Sequence, residues 1–200
     1  MALFDRLKDQ AKNLQQQVQG GHGASSGHGG HTGNTGYPGQ AGHGGAGSGG
    51  SRGASRAQLV GLLKTQLGSL KTELKSGAYR DASMAMCALV AAADGHVDPT
   101  EQQQMEAMIL SNEVLQNFPP DQLRQRFHKH VDLLTRNFAQ GKAEAMQEIA
   151  KAAKKPTEAR AVIQTGIVIA GADGYFSQAE QAVLREACAA LGVSPAEFQL

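Results

Sequence analysis

Asp94, Asp98 and Glu101 sit in one short turn, Asp-Gly-His-Val-Asp-Pro-Thr-Glu. Asp173 and Glu180 sit in a second, Asp-Gly-Tyr-Phe-Ser-Gln-Ala-Glu, at a constant offset of 79 residues. Each turn lays over the second half of a calcium-binding helix-loop-helix, which needs Asp, Gly, an apolar residue, a short polar residue and a Glu in that order. The two leading ligand positions are apolar or small, Val90 and Ala92 in one copy and Ile169 and Gly171 in the other, so a complete loop of that kind is excluded. What remains is half a ligand set per copy, and a pseudo-twofold arrangement would assemble one oxygen-rich site from the two halves. Oxygen donors favour Ca2+ or another hard divalent cation over Zn2+, because the turns offer no thiol and only one imidazole, His96. The same residues also serve a plainer purpose. Asp98 and Ser177 are N-cap types, Glu101 and Glu180 complete capping boxes worth about 1 kcal/mol, and Asp94 and Asp173 can bind turn amides.

Other reactive side chains carry less. His22, His28, His31 and His43 lie in a Gly-rich stretch whose ordering around a metal would be costly, and His128 and His130 point about 200° apart on a helix, which predicts a solvated pair rather than a chelate. Cys87 and Cys188 stand in Ala- and Leu-rich runs without Cys-x-x-Cys spacing, as small core hydrophobes do. No nucleophile-base pair, phosphate-binding loop or zinc-spaced Cys/His set is present, which weighs against an enzyme.

These turns need helices to hold them, and helix is what the periodicity supplies. Residues 2–19 place Leu3, Phe4, Leu7, Leu14 and Val18 on one stripe, a short amphipathic helix suited to docking on a partner or as a peripheral membrane contact. Residues 20–54 collapse to Gly, Ser, His and Ala and predict a flexible linker. Residues 55–76 resume helical spacing with Leu59, Leu63, Leu67, Leu70 and Leu74, and Gly77 stands where a terminating Gly would fall. From 77 to 200 every segment reads as helix: an Ala-rich buried helix from Ala78 to Ala93, one opening at Asp98-Pro99, a long one after Pro119-Pro120 with a face running from Leu123 to Phe138, one over 142–155, an apolar one over 158–172, and one opening at Ser177. The expectation is an all-α, pseudo-twofold helical bundle of about seven to eight helices behind a flexible Gly-rich N-terminal extension.

Charge and composition narrow the function classes. The net charge of +1 hides a segregation: Arg52 to Arg80 carries six basic residues against Glu73 alone, whereas Asp81 to Leu200 carries ten basic and fifteen acidic residues. The basic stretch has only Tyr79 for base stacking and a leucine stripe that needs burial, so no nucleic acid is expected as a partner. Two unpaired-looking cysteines and no long apolar run predict a cytoplasmic protein with reduced thiols and any membrane link peripheral, at the inner face.

From about Gly77 to Leu200, the stretches Ala92-Ala-Asp-Gly-His-Val-Asp98 and Ala170-Gly-Ala-Asp-Gly-Tyr-Phe-Ser-Gln-Ala-Glu180 resemble the tellurite-resistance TerB and TerB-like domain family. The resemblance covers none of the first 76 residues. It implies an all-helical pseudo-symmetric fold, an acidic face able to bind a divalent metal such as calcium, and action in a bacterial stress complex. A TerC-like membrane protein and TerD-like calcium-binding proteins are the partners it implies. Carried over by position, the metal candidates are Asp94, Asp98, Glu101, Asp173 and Glu180, with Ser177 departing from Asp98 of the first copy. The function so implied is a non-enzymatic helical binding module, with a metal-dependent hydrolase or redox enzyme of the stress response as the alternative.

Overall fold

The structure is a computed structural model and describes residues 50–173 and 176–200, with the side chains of residues 50–55 and of Asp173 outside that description. The docking helix expected over 2–19, nearly all of the linker expected over 20–54 and its four histidines lie outside the described residues.

Seven α-helices are present among the described residues, joined by turns and short 3-10 segments, and no strand occurs there. They are α1 (Gly50–Ser69), α2 (Gly77–Ala91), α3 (Pro99–Ser111), α4 (Pro120–Arg136), α5 (Phe138–Ala150), α6 (Pro156–Ala170) and α7 (Gln178–Leu191). The fold is an all-α bundle. Helix α2 is its centre and packs against α4, α5, α6 and α7. That position explains its composition: Ala82, Ala85 and Ala88 let neighbouring backbones approach, and Met84, Met86 and Leu89 fill the space between them, all fully buried. Helix α6 is buried along nearly its whole length, from Glu158 to Ala170. One polar contact ties the two, Tyr79 Oη to Thr165 Oγ1 at 2.8 Å, while Thr165 Oγ1 also reaches Ala161 O.

The packing is reciprocal. The first helix of each Asp-Gly segment, α2 or α6, touches the second helix of the other, α7 or α3, and α2 and α6 touch each other. This is the contact pattern of a pseudo-twofold bundle.

Three boundaries differ from those expected of the sequence. The helix expected to run to Ser76 stops at Ser69, and Gly77 does not end it but begins α2, because Ser76 accepts from Tyr79 N at 3.0 Å and acts as an N-cap. The reversal between α1 and α2 keeps Leu74 buried, and Asn117 Nδ2 donates to the carbonyls of Lys71 (2.6 Å) and Leu74 (3.2 Å). Phe138 does not continue the face of α4. Asn137 breaks the helix in extended conformation (φ −154°, ψ 100°) and caps α5, accepting from Gln140 N at 3.1 Å. The helix expected over 142–155 accordingly begins four residues earlier and tightens into a 3-10 turn over Lys151–Lys154.

Helix α1 lies on the body. Leu63 and Leu67 enter the core, Gln164 Nε2 donates to Gln66 Oε1 at 3.3 Å, and Arg56 stacks over the Phe176 ring at 5.4 Å. The basic segment therefore spends its leucine stripe on the bundle.

Candidate functional site

In the first turn α2 ends at Ala91, and the chain reverses through Gly95, whose amide donates to Ala92 O at 2.8 Å. Gly95 has φ +85°, the left-handed region where a side chain would be strained, which accounts for Gly after Asp94. Asp94 is exposed, and its Oδ1 accepts from His96 N at 3.1 Å. Asp98 caps α3, its Oδ1 accepting from Thr100 N at 2.7 Å and from Glu101 N at 3.4 Å. Those amides, that of Thr100 above all, hold the Asp98 carboxyl below its ordinary range, so it is ionised at neutral pH. Glu101 is half-buried in the first turn of α3.

The second turn is built with the same grammar and other volumes. A 3-10 turn over Gly171–Asp173 follows α6, and Phe176 packs back on Gly171 so closely that a Cβ there would lie 2.4 Å from Cζ of the ring. The first copy has Ala92 with the smaller Val97; the second pairs Gly171 with Phe176. A capping box opens α7: Ser177 Oγ accepts from Glu180 N at 3.1 Å and Glu180 Oε2 accepts from Ser177 N at 2.5 Å. Glu180 is buried.

Among the described residues no group of three or more His, Cys, Asp or Glu side chains is placed to hold a metal ion. Asp98 and Glu180 are engaged in capping, Asp94 in its own turn, and Asp173 is the member whose side chain is not described. In donor chemistry the set fits a hard cation, being all carboxylate, with Asp94 on the surface and Asp98 ionised. In number, the described carboxylates do not complete a coordination sphere.

The remaining candidates fall into place on α4, α2 and α7. His128 Nε2 lies 2.6 Å from Glu106 Oε2, and the same carboxylate binds Arg124 at 2.8 Å. His130, expected in water beside it, is buried. Helix α4 packs against α2, α3 and α5, so more of its surface is covered than its own polar pattern suggests. Cys87 and Cys188 are buried free thiols, as expected. Burial pushes Cys87 up to about 12 and Cys188 up to about 11. The polar group that sequence reasoning missed is the one around His130, where Asp81 of α2 binds both Arg80 and Arg126. Its signal was faint: Asp81 is one of two charges at the start of an otherwise apolar helix.

An all-helical bundle with reciprocal helix contacts and an Asp-Gly turn after each buried helix defines a small helical domain class. The sequence model of the family Tellurite resistance protein TerB matches residues 80–200, and the chain belongs to that family. Comparison with curated proteins and with solved structures gives no match. No helix among the described residues is long and apolar enough to cross a membrane.

Proposed function

We propose that this protein is a non-enzymatic binding module of the tellurite-resistance type, in which the two Asp-Gly turns respond to a hard divalent cation and the domain docks to a membrane-associated complex. The observation that carries this is the TerB match across the whole stretch that holds both turns. The ionised Asp98 and the exposed Asp94 support it, being carboxylate oxygen donors of the first turn. Asp94, Asp98, Glu101, Asp173 and Glu180 would hold the ion, and Ca2+ is the cation their oxygen chemistry favours. A bound cation would neutralise repulsion among carboxylates brought from both halves and so tighten the bundle at its turns. Partners resembling TerC and TerD would then meet a surface whose charge depends on the cation.

Calorimetric titration of the full chain with calcium, magnesium and zinc tests the reading. A saturable calcium isotherm is expected, lost when Asp94→Asn and Asp173→Asn are combined. A double variant that binds calcium as the parent does removes the two-turn site.

A further inference from the structure

The contacts of α1 run in reverse order along α6 and the segment after it: Arg56 stacks over the Phe176 ring at 5.4 Å, Val60 reaches Gly171, and Gln66 accepts from Gln164 Nε2 at 3.3 Å. The two helices are therefore antiparallel. The end of α1 that the chain enters from its N-terminal extension is the end that lies on the second Asp-Gly segment.

That end is built for close approach. Gly171 has φ −88° and ψ 16°, and its counterpart Ala92 adopts nearly the same conformation with φ −99° and ψ 10°, so the backbone does not ask for glycine here. Space does. A Cβ on Gly171 would lie 2.9 Å from Val60 Cγ2 and closer still to the Phe176 ring, so α1, the end of α6 and the residue before the α7 cap meet at one point where only a hydrogen fits. The first copy is looser. Val97, the counterpart of Phe176, is only half-buried, whereas Phe176 is 3% exposed beneath Arg56. The two segments are unequal, and α1 makes them so.

The hold of α1 is full in apolar terms and incomplete in polar ones. Leu63 and Leu67 are buried, but Gln164, 8% exposed, keeps its Oε1 without a hydrogen-bond partner among the described residues, although its amide faces Gln66 of α1. An orphaned acceptor costs part of what the contact gains. Arg56, for its part, brings a permanent positive charge to the segment where the turn chemistry calls for a cation.

We infer that α1 is a regulatory strap over the second Asp-Gly segment: seated, it pins Phe176 and sets the Arg56 guanidinium against an incoming divalent cation, and a cation bound at the turns works to lift it. The strap's regulatory role rests on the cation reading of the two turns. Its physics is mutual. Whatever factor a seated Arg56 removes from cation affinity, a bound cation removes from strap seating.

Calcium titration of the full chain, followed by backbone NMR signals and amide hydrogen exchange, tests the strap. Arg56→Gln should raise calcium affinity by about threefold to tenfold, the worth of one charge repelling another across a wet surface. Arg56→Lys, which keeps both the charge and the ring contact, should match the parent. Saturating calcium should speed exchange of the α1 amides over residues 57–67 in the parent by a similar factor, and much less in Arg56→Gln. Val60→Ala, which loosens the seat without touching a charge, should speed exchange over residues 176–180 and leave residues 94–98 of the first turn unchanged. Calcium that binds the parent and Arg56→Gln alike, or α1 exchange that ignores calcium, overturns the strap and leaves the cation reading standing. No calcium binding by parent or variant removes the cation reading, and the strap's regulatory role with it.

Discussion

His128 and His130 stand two residues apart on α4 and meet opposite electrostatics. His128 pairs with Glu106, and that hydrogen bond leads the lowering of the Glu106 carboxyl. His130 is held below the ordinary histidine value by desolvation first and Lys129 second, against the weaker pull of Glu148, Glu144 and Asp81. For a histidine depressed in the folded state, the unfolded chain binds more protons between the folded value and about 6.5. Stability contributed by neutral His130 is therefore complete above about pH 6.5 and lost as pH falls through that window. Urea midpoints measured down to pH 5.5 should fall more steeply for the parent than for His130→Gln, and parallel curves would remove His130 as the titrating group. The thiols make a second residue-scale expectation. With Cys87 raised to about 12 and Cys188 to about 11, both buried, a thiol reagent at pH 8 should react only as fast as the chain unfolds. Prompt reaction of either thiol in native protein would contradict this.

At the scale of helices, glycines separate close packing from slack. A Cβ at Gly141 of α5 would lie 2.6 Å from Leu134 N and 2.7 Å from Leu133 C, backbone atoms of α4 that cannot swing aside. Gly141→Ala should cost about 1–3 kcal/mol by forcing α4 and α5 apart. Gly61 in α1 has nothing within 4 Å of that position, so Gly61→Ala should gain roughly 0.5–1 kcal/mol from helix propensity. Opposite shifts in thermal midpoint check the pair. The helices themselves were legible, since Asp98-Pro99, Pro119-Pro120 and Ser177 mark starts that the structure keeps, whereas Pro156, which reads as a stop, also opens α6. Two boundaries were not. Ser76 and Asn137 are caps only because the chain turns there to satisfy distant contacts, such as Asn117 with the Lys71 and Leu74 carbonyls, which no local pattern announces. The Asp-Gly turns were legible as turns, with Gly95 at positive φ as its place after Asp94 requires. The polar group around His130 was not, because its members come from α2, α4 and α5 and meet only by packing.

For the whole molecule, the question is where the folding unit begins. The family match starts at residue 80, yet a compact unit spans Ser51–Leu200. The difference is α1 and the reversal after it, whose Leu63, Leu67 and Leu74 are buried to within 3% of fully. Each buried leucine contributes on the order of 2–5 kcal/mol against truncation to alanine, while a domain of this size is stable by about 5–15 kcal/mol. Removing three such side chains at once therefore takes away a large share of the whole. It also uncovers apolar surface on the bundle, including Phe176, over which Arg56 stacks. A fragment of residues 77–200 should unfold at markedly lower urea than one of residues 51–200, and should bind a hydrophobic dye that the longer fragment ignores. Leu67→Ala in the full chain separates packing from chain length: its midpoint should drop by the equivalent of roughly 2–5 kcal/mol with an unchanged denaturant slope. Equal stability of the two fragments, with Leu67→Ala neutral, would mean that α1 is an appendage and that the domain begins where the family match does.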